Sequence, residues 1–356
     1  MTSLKILAGP KAFRHIQQQG LSPQDITAVF GASGAAKWLT IVGLDVTIFG
    51  QWLSASTQPI DLFGTSVGAF KLAAAAQQNP VAAMNTLADA YIDQHYTGKV
   101  TPAQIALATE KIFAAFLSNS NIDEILCNQR YNFHCASVKC KGLLASDNTP
   151  LQIAAMAKAL LLSFTGRNAH QSIFERVVFS AGSPVNTFCG ADAYTTEQVG
   201  LNKHNFRAAL LSSGSIPLHM PGIRNIADAP AGTYRDGGLL DYHPVPSNVA
   251  TIDNGLVLYP HFYTHLKEGW FDKFSRGRKV SSQQLDNTVL IGPSDDYVRL
   301  LPGASIPDRR DFSRYMDNEP ERIRRWTEAK TRSFELGEDF MQLVQSGDIA
   351  KQVVLI

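Results

Sequence analysis

Two short apolar runs, each ending at a Gly-containing turn and each followed at once by a helix-forming stretch, limit what this chain can fold into. The first is Ile26–Gly31, ITAVFG, followed by AAKWLTIVGLDVTIFGQWL. The second is Pro59–Phe63, PIDLF, then Gly64-Thr65-Ser66-Val67-Gly68, then AFKLAAAAQQ, which stops before Pro80. Consecutive strand–turn–helix units lay their strands parallel, because the crossover returns the chain to the same end of the sheet. The alternation then continues. Residues 80–118 read as mostly helical, YNFHCASVKCKGLLA (131–145) as strand-like, Leu151–Phe164 as a helix and Glu175–Ser180 as a strand. Leu256–Tyr259 reads as a strand and Pro320–Val344 as a helix. The predicted class is α/β with a mainly parallel central sheet.

Composition narrows the function classes. The chain has 356 residues, enough for one large domain with a sizeable core. Lys and Arg number 32 against 31 Asp and Glu, a net charge of +1, which argues against a nucleic-acid partner. Charged residues at 18% and apolar residues at 45% exclude intrinsic disorder. Cys127, Cys135, Cys140 and Cys189 show no C-x-x-C pair and no His at ligand spacing, so they read as thiols of a reducing compartment, and no metal or other cofactor is expected. The opening residues lack a signal-peptide core, and the apolar run Leu39–Leu53 is interrupted by Asp45 and short for a membrane span. A cytoplasmic, soluble protein is expected. The division expected is a catalytic domain over 1–255 and a largely helical extension over 256–356 packed on it.

The turns carry the chemistry. Gly64-Thr65-Ser66-Val67-Gly68 fits G-x-S-x-G between a strand and a helix, where flanking side chains would clash and the Ser hydroxyl projects into a cleft. The competing use of the same residues is a Gly-rich turn whose Ser caps the helix. Gly31-Ala32-Ser33-Gly34-Ala35-Ala36-Lys37 lacks the third glycine of a dinucleotide loop and the G-K-[ST] of a Walker loop. A turn of small residues at a helix N-terminus can instead present backbone N–H groups to a developing oxyanion. Asp236 stands before Gly237 and Gly238, an acid on a tight turn, with Ser213–Pro217 about two dozen residues earlier. Position 66 is early for the nucleophile of an ordinary α/β-hydrolase, and His243, His261 and His265 sit in no recognisable loop signature.

In this order the motifs resemble those of the patatin-like phospholipase family, from Ile26 to Pro246. SGAAKW (Ser33–Trp38) stands for the family's oxyanion loop, GTSVGA (Gly64–Ala69) for its elbow, SGSIP (Ser213–Pro217) for its Ser- and Ile-Pro-containing stretch and DGGLLDYHP (Asp236–Pro244) for its DGG segment. The resemblance implies a three-layer α/β/α fold and a lipid acyl hydrolase. It implies Ser66 as nucleophile, Asp236 as its base, oxyanion donors on Gly34 and Ala35, and supporting roles for Gly31, Lys37, Gly64, Gly68, Gly237 and Gly238. The departures are Ser33, Ala35 and Trp38 in place of glycines, and Asp241-Tyr242-His243 in place of an Asn-rich tail. Ala35 keeps its donor without strain if its φ is negative, and Trp38 is expected to narrow the cleft or line an acyl pocket. An acyltransferase with the same dyad and a catalytically silent lipid-binding protein are the alternatives. The expected partner is a lipid ester; the basic and aromatic stretch Lys267–Lys279 (Lys267, Lys273, Arg276, Arg278, Lys279 against Glu268 and Asp272; Trp270, Phe271, Phe274) reads first as a solvated helix or loop with a core-facing aromatic side, and alternatively as a peripheral contact with anionic headgroups. The number of copies in the assembly is left open.

Overall fold

The computed structural model describes residues 3–96, 98, 100–182, 194–245, 255–275 and 277–356; Cys189, Pro246 and Arg276 lie outside them. The strands are β1 (Leu4–Ala8), β2 (Ile26–Gly31), β3 (Ile60–Gly64), β4 (Tyr131–Cys140), β5 (Phe174–Ser180), β6 (Thr196–Gly200), β7 (Ile223–Arg224), β8 (Thr233–Asp236), β9 (Leu256–Pro260), β10 (Thr288–Pro293) and β11 (Val353–Leu355). They form one sheet in the order β11-β1-β10-β9-β2-β3-β4-β5-β6, with β8 on β4 and β7 on β8. β10, β9, β2, β3 and β4 run parallel, whereas β1 is antiparallel to β10 and β5 to β4. Helices flank this mainly parallel sheet, as the alternation of segments predicts.

One edge of β4 carries the feature that positions the site. Along it β3 pairs in parallel from Ile60↔Tyr131 to Gly64↔Cys135, and β8 pairs antiparallel from Thr233↔Cys140 to Asp236↔Ser137. The two strands therefore arrive from opposite directions and stop on either side of Ala136. The other edge belongs to β5, paired from His134 to Cys140.

The helix after β3, Val67–Ala75, is buried at every residue, so its Ala-rich composition serves close packing on all sides rather than an amphipathic face. The stretch after β2, Ala35–Ala55, is continuously helical through 3-10, α and π turns. Its 21 residues are long and apolar enough to cross a membrane by those two measures, longer than the Leu39–Leu53 run alone, and most of it is buried inside the fold. It packs against the 28-residue helix Glu319–Ser346, whose buried Trp326, Ala329, Ser333, Leu336 and Phe340 recur at helical spacing. Ser333 Oγ lies 2.7 Å from the Gly43 amide, and the Trp52 and Phe340 rings meet edge to face.

The expected boundary at 255/256 is not a boundary in the structure. β9 inserts between β2 and β10, β10 joins β9 to β1, and β11 closes the far edge, so the last hundred residues supply sheet as well as helix. The physical reason is register: β9 bonds in parallel to β2 and fills the site's neighbouring strand position, which an appended helical layer would leave as an open edge.

Asp45, which interrupts the apolar stretch, is fully buried and accepts hydrogen bonds from Lys71 Nζ at 2.9 and 3.0 Å and from Trp38 Nε1 at 2.8 Å. This ties the Ala35–Ala55 stretch to the helix after β3. Burial raises the Asp45 pKa and the Lys71 ammonium opposes that rise. Trp38 is thus a buried partner of Asp45 and not a wall of the cleft, which corrects the expectation for it. Lys71→Met leaves the Asp45 carboxylate without its cation and should cost about 3–5 kcal/mol of stability, while the pair Lys71→Met, Asp45→Leu should recover most of that loss. Guanidinium denaturation of both variants checks this; equal losses would show that the ion pair is not what the stability depends on.

Candidate active site

The site lies beyond the carboxyl ends of β2, β3 and β9, where open parallel sheets place their ligand crevices. Ser66, the first residue after the β3 turn, has φ 53° and ψ −132°, a conformation that costs a non-Gly residue on the order of 1–3 kcal/mol and persists only where its surroundings hold it. They do so through both backbone and side chains. The Ser66 amide donates to the Ser213 carbonyl and lies 3.0 Å from Ser213 Oγ, which in turn donates to the Ala136 carbonyl. Thr65 Oγ1 donates to the Asp241 carbonyl at 2.7 Å and lies 2.9 Å from Ser33 Oγ.

The glycines at the turn are needed for closeness. A Cβ on Gly64 would lie 2.6 Å from the Ala69 amide nitrogen, and one on Gly31 would lie 2.6 Å from the Gly68 carbonyl oxygen. Gly68 faces Gly31 in the same contact, so the end of β2 and the start of the helix after β3 touch backbone to backbone. Gly237 is similarly confined against the Ala136 carbonyl, and Gly238 against Ser33 Oγ.

Asp236 ends β8 at the gap opposite Ser66. Ser66 Oγ donates to Asp236 Oδ2 at 2.8 Å, and the Gly238 amide donates to Asp236 Oδ1 at 2.7 Å. The Asp236 amide donates to the Ser215 carbonyl, so Ser213 and Ser215 of the Ser213–Pro217 stretch bind one half of the pair each. Both side chains are buried, and burial raises the Asp236 pKa to about 6 against the lowering effect of its hydrogen bonds and of Arg309 and Lys273.

Gly34 and Ala35 line the same 810 Å³ cavity as Ser66 and Asp236. Gly34 sits under the Phe262 ring and Ala35 has φ 52°. The negative φ that would leave Ala35 unstrained is therefore not what the loop adopts: this alanine is held in the left-handed region, which glycine would occupy without cost. Lys37 also lines the cavity, and its ammonium lies 2.6 Å from Asp308. The substituted tail of the last motif has structural work. Asp241 takes two hydrogen bonds from Arg176, at 2.7 and 2.8 Å, and the Tyr242 carbonyl accepts from the Ser33 amide.

Neither Ser66 nor Asp236 is hydrogen-bonded to a histidine among the described residues. His243 Nδ1 accepts from the Lys267 amide and His261 Nδ1 from the Tyr263 amide. Burial pushes both pKa values down, that of His261 to about 3. Among the described residues no group of three or more His, Cys, Asp or Glu is arranged to hold a metal ion.

The stretch Lys267–Lys279 does not present one basic face. Phe271 is buried, Asp272 binds Arg167 and Arg278, and Lys267, Trp270, Lys273 and Phe274 line the Ser66 cavity. Sequence reasoning missed Arg176, Asp308 and Arg309. For Arg176 the signal was available: it shares the phase of the buried Phe174 and Val178 on β5, a position where a charge needs a buried partner.

No family model matches the sequence, and no curated protein matches it. Among solved structures, VipD from Legionella pneumophila is similar over 100% of this chain and 75% of that chain, with 11% sequence identity and a TM-score of 0.40. At that level it is a distant likeness of shape, and no residue role follows from it.

Gly68→Ala drives a methyl group into the Gly31 backbone, so it should lower stability by about 2–3 kcal/mol and displace the loop from the elbow. Thermal unfolding tests this; a variant of wild-type stability would mean that the contact can relax freely.

Proposed function

We propose that this protein is a serine hydrolase of carboxylic esters, acting on lipid esters through Ser66 and Asp236. The observation that carries the reading is the 2.8 Å hydrogen bond from Ser66 Oγ to a buried carboxylate, made by a serine on a strained strand-to-helix turn inside a cavity. Strain of this kind at a nucleophilic hydroxyl is stored where function uses it.

In this mechanism Asp236 accepts the Ser66 proton as Oγ attacks the ester carbonyl. The alkoxide of the leaving group departs with a proton returned from Asp236, and water repeats the sequence on the acyl-enzyme. Backbone N–H groups of Gly34 and Ala35 are the proposed donors to the oxyanion. Met156, Ile216, Leu218, Leu239 and Phe274 supply apolar wall for an acyl chain. Buried Asp236, with its raised pKa, is a better base than an exposed carboxylate and remains ionised at neutral pH. A reducing, cytoplasmic setting is proposed from the spacing of the four cysteines in the sequence, which shows no paired motif. Exposed Ile153, Leu161 and Phe164 on the helix Thr149–Thr165, with Phe274, support peripheral contact with a lipid surface.

Ser66→Ala should abolish ester turnover and fluorophosphonate labelling while the protein stays folded; labelling that survives at the site would refute the nucleophile. Asp236→Asn should reduce turnover by about 10²–10⁴-fold, the range of a general base. Product analysis with a labelled acyl donor then separates transfer to water from transfer to an alcohol.

The pH dependence follows from burial. Since Asp236 must be ionised to accept a proton, turnover should fall about tenfold per unit below pH 6 and level off above about pH 7. The folded pKa is raised above the ordinary 3.8, so the protonated form favours folding and that contribution is lost as pH rises through 6. Asp236→Asn should accordingly be at least as stable as the parent at pH 8, measured by thermal unfolding. A pH-independent rate between pH 5 and 8 would remove Asp236 from the base role.

A further inference from the structure

We propose that Lys273 and Arg309 form an anion subsite in the wall of the Ser66 cavity, taking a phosphate or carboxylate group carried by the substrate beside its scissile ester. The proposal rests on the hydrolase reading and concerns which ester is preferred.

The cavity wall holds five cations, Lys37, Lys267, Lys273, Arg309 and Arg310, against the carboxylates of Asp236 and Asp308 among the described residues. Asp308 is already committed: it lies 2.6 Å from Lys37 Nζ and 3.0 Å from Arg310 Nε. Asp236 is committed to Ser66 and Gly238. Lys273 and Arg309 have no carboxylate at ion-pair distance among the described residues, although both lie within electrostatic reach of Asp236.

Lys273 and Arg309 are exposed residues that line the cavity where it opens to solvent, and Lys273 stands on an anchored turn. The residues before it are fixed: Phe271 and Asp272 are buried, and Asp272 binds Arg167 Nη1 at 2.9 Å, Arg278 Nη1 at 2.8 Å and the Gly269 amide at 2.9 Å. From this anchored turn the Lys273 ammonium reaches 3.4 Å above the Tyr242 ring centroid and 5.5 Å from that of Trp270. Aromatic faces hold a cation without neutralising it. Surrounding protein, together with Lys37 and Arg309, pushes its pKa down to about 7 against the raising effect of Asp236 and Asp308. An oxyanion seated between Lys273 and Arg309 would supply a counter-charge and orient the ester relative to Ser66.

The test uses the full-length protein and three esters that share one fluorogenic leaving group: a neutral butyrate, a hemiglutarate ending in a carboxylate, and an acyl ester ending in a phosphate. The readout is the ratio of kcat/KM for each anionic ester to that for the neutral one, which cancels any general loss of active protein. Lys273→Met and Arg309→Met should each lower that ratio about ten- to a hundredfold, the range of a charge-assisted hydrogen bond. The change should come through KM, and Lys273→Arg should restore most of it. Whichever anionic ester shows the larger drop identifies the source of the group. A ratio unmoved in both Met variants overturns the subsite. If the parent protein turns over none of the esters and takes no fluorophosphonate label, the hydrolase reading fails, and the subsite is tested alone by titrating Trp270 fluorescence with inorganic phosphate and with glutarate. A saturable change that Lys273→Met abolishes supports the subsite in that case; identical titrations, or none in the parent protein, overturn it.

Discussion

Everything at the candidate site depends on one edge of β4 serving two strands. A strand edge offers one row of N–H and C=O groups, and here that row is divided: Tyr131–Cys135 bond to β3 and Ser137–Cys140 to β8. The two partners run in opposite directions, so their carboxyl ends converge on Ala136 instead of diverging. A nucleophile just past one end and an acid at the other are then neighbours across 170 residues of chain. Sheet pairing sets this geometry, and side chains only refine it.

The refinement is costly and is held by redundancy. Ser66 and Ala35 both occupy positive φ without being glycine, and Asp236 is a carboxylate kept from water. Each alone would relax. They persist because Thr65, Ser33 and the segment Asp241–Tyr242 are cross-linked by hydrogen bonds, because Ser66 is bonded to Ser213 and Asp236, and because the Arg176–Asp241 pair fixes the Asp241 segment. A removal at any of these points frees a strained residue as well as breaking one bond.

The last hundred residues are part of the same object. β9 lies beside β2 and continues into His261 and Phe262 over the Gly34 turn. The turn at Trp270–Phe274 and the segment Asp308–Arg310 give the cavity its basic wall. Those segments lie outside the motifs that mark the dyad, so the character of the cavity is open to change without touching Ser66 or Asp236.

The elements with a strong local pattern were legible in the sequence because local physics makes them. Apolar runs of five or six residues ending at glycine became β2 and β3, Asn79 caps Pro80–Ile92, and Leu151–Phe164 and Pro320–Val344 fall inside observed helices. G-T-S-V-G declared its turn because only glycine permits the backbone contact there. Long-range pairing has no such local signature. Nothing in LVLYP says that it bonds to β2, nothing in TYRD that it shares an edge of β4, and the four-residue β8 is too short for its pattern to register. Whether Asp45 finds Lys71, whether Lys273 lies over Tyr242 and whether Ala35 takes a positive φ are likewise decided only when distant segments compete for the same space and the same hydrogen bonds. The sequence determined the segments with a strong local pattern, β2 to β5, β9 and the helices between them, while β1, β6, β7, β8, β10 and β11 were not read from it; the tertiary structure decided those strands and which ends meet, since that depends on the pairing free energy of the whole sheet and not of any one segment.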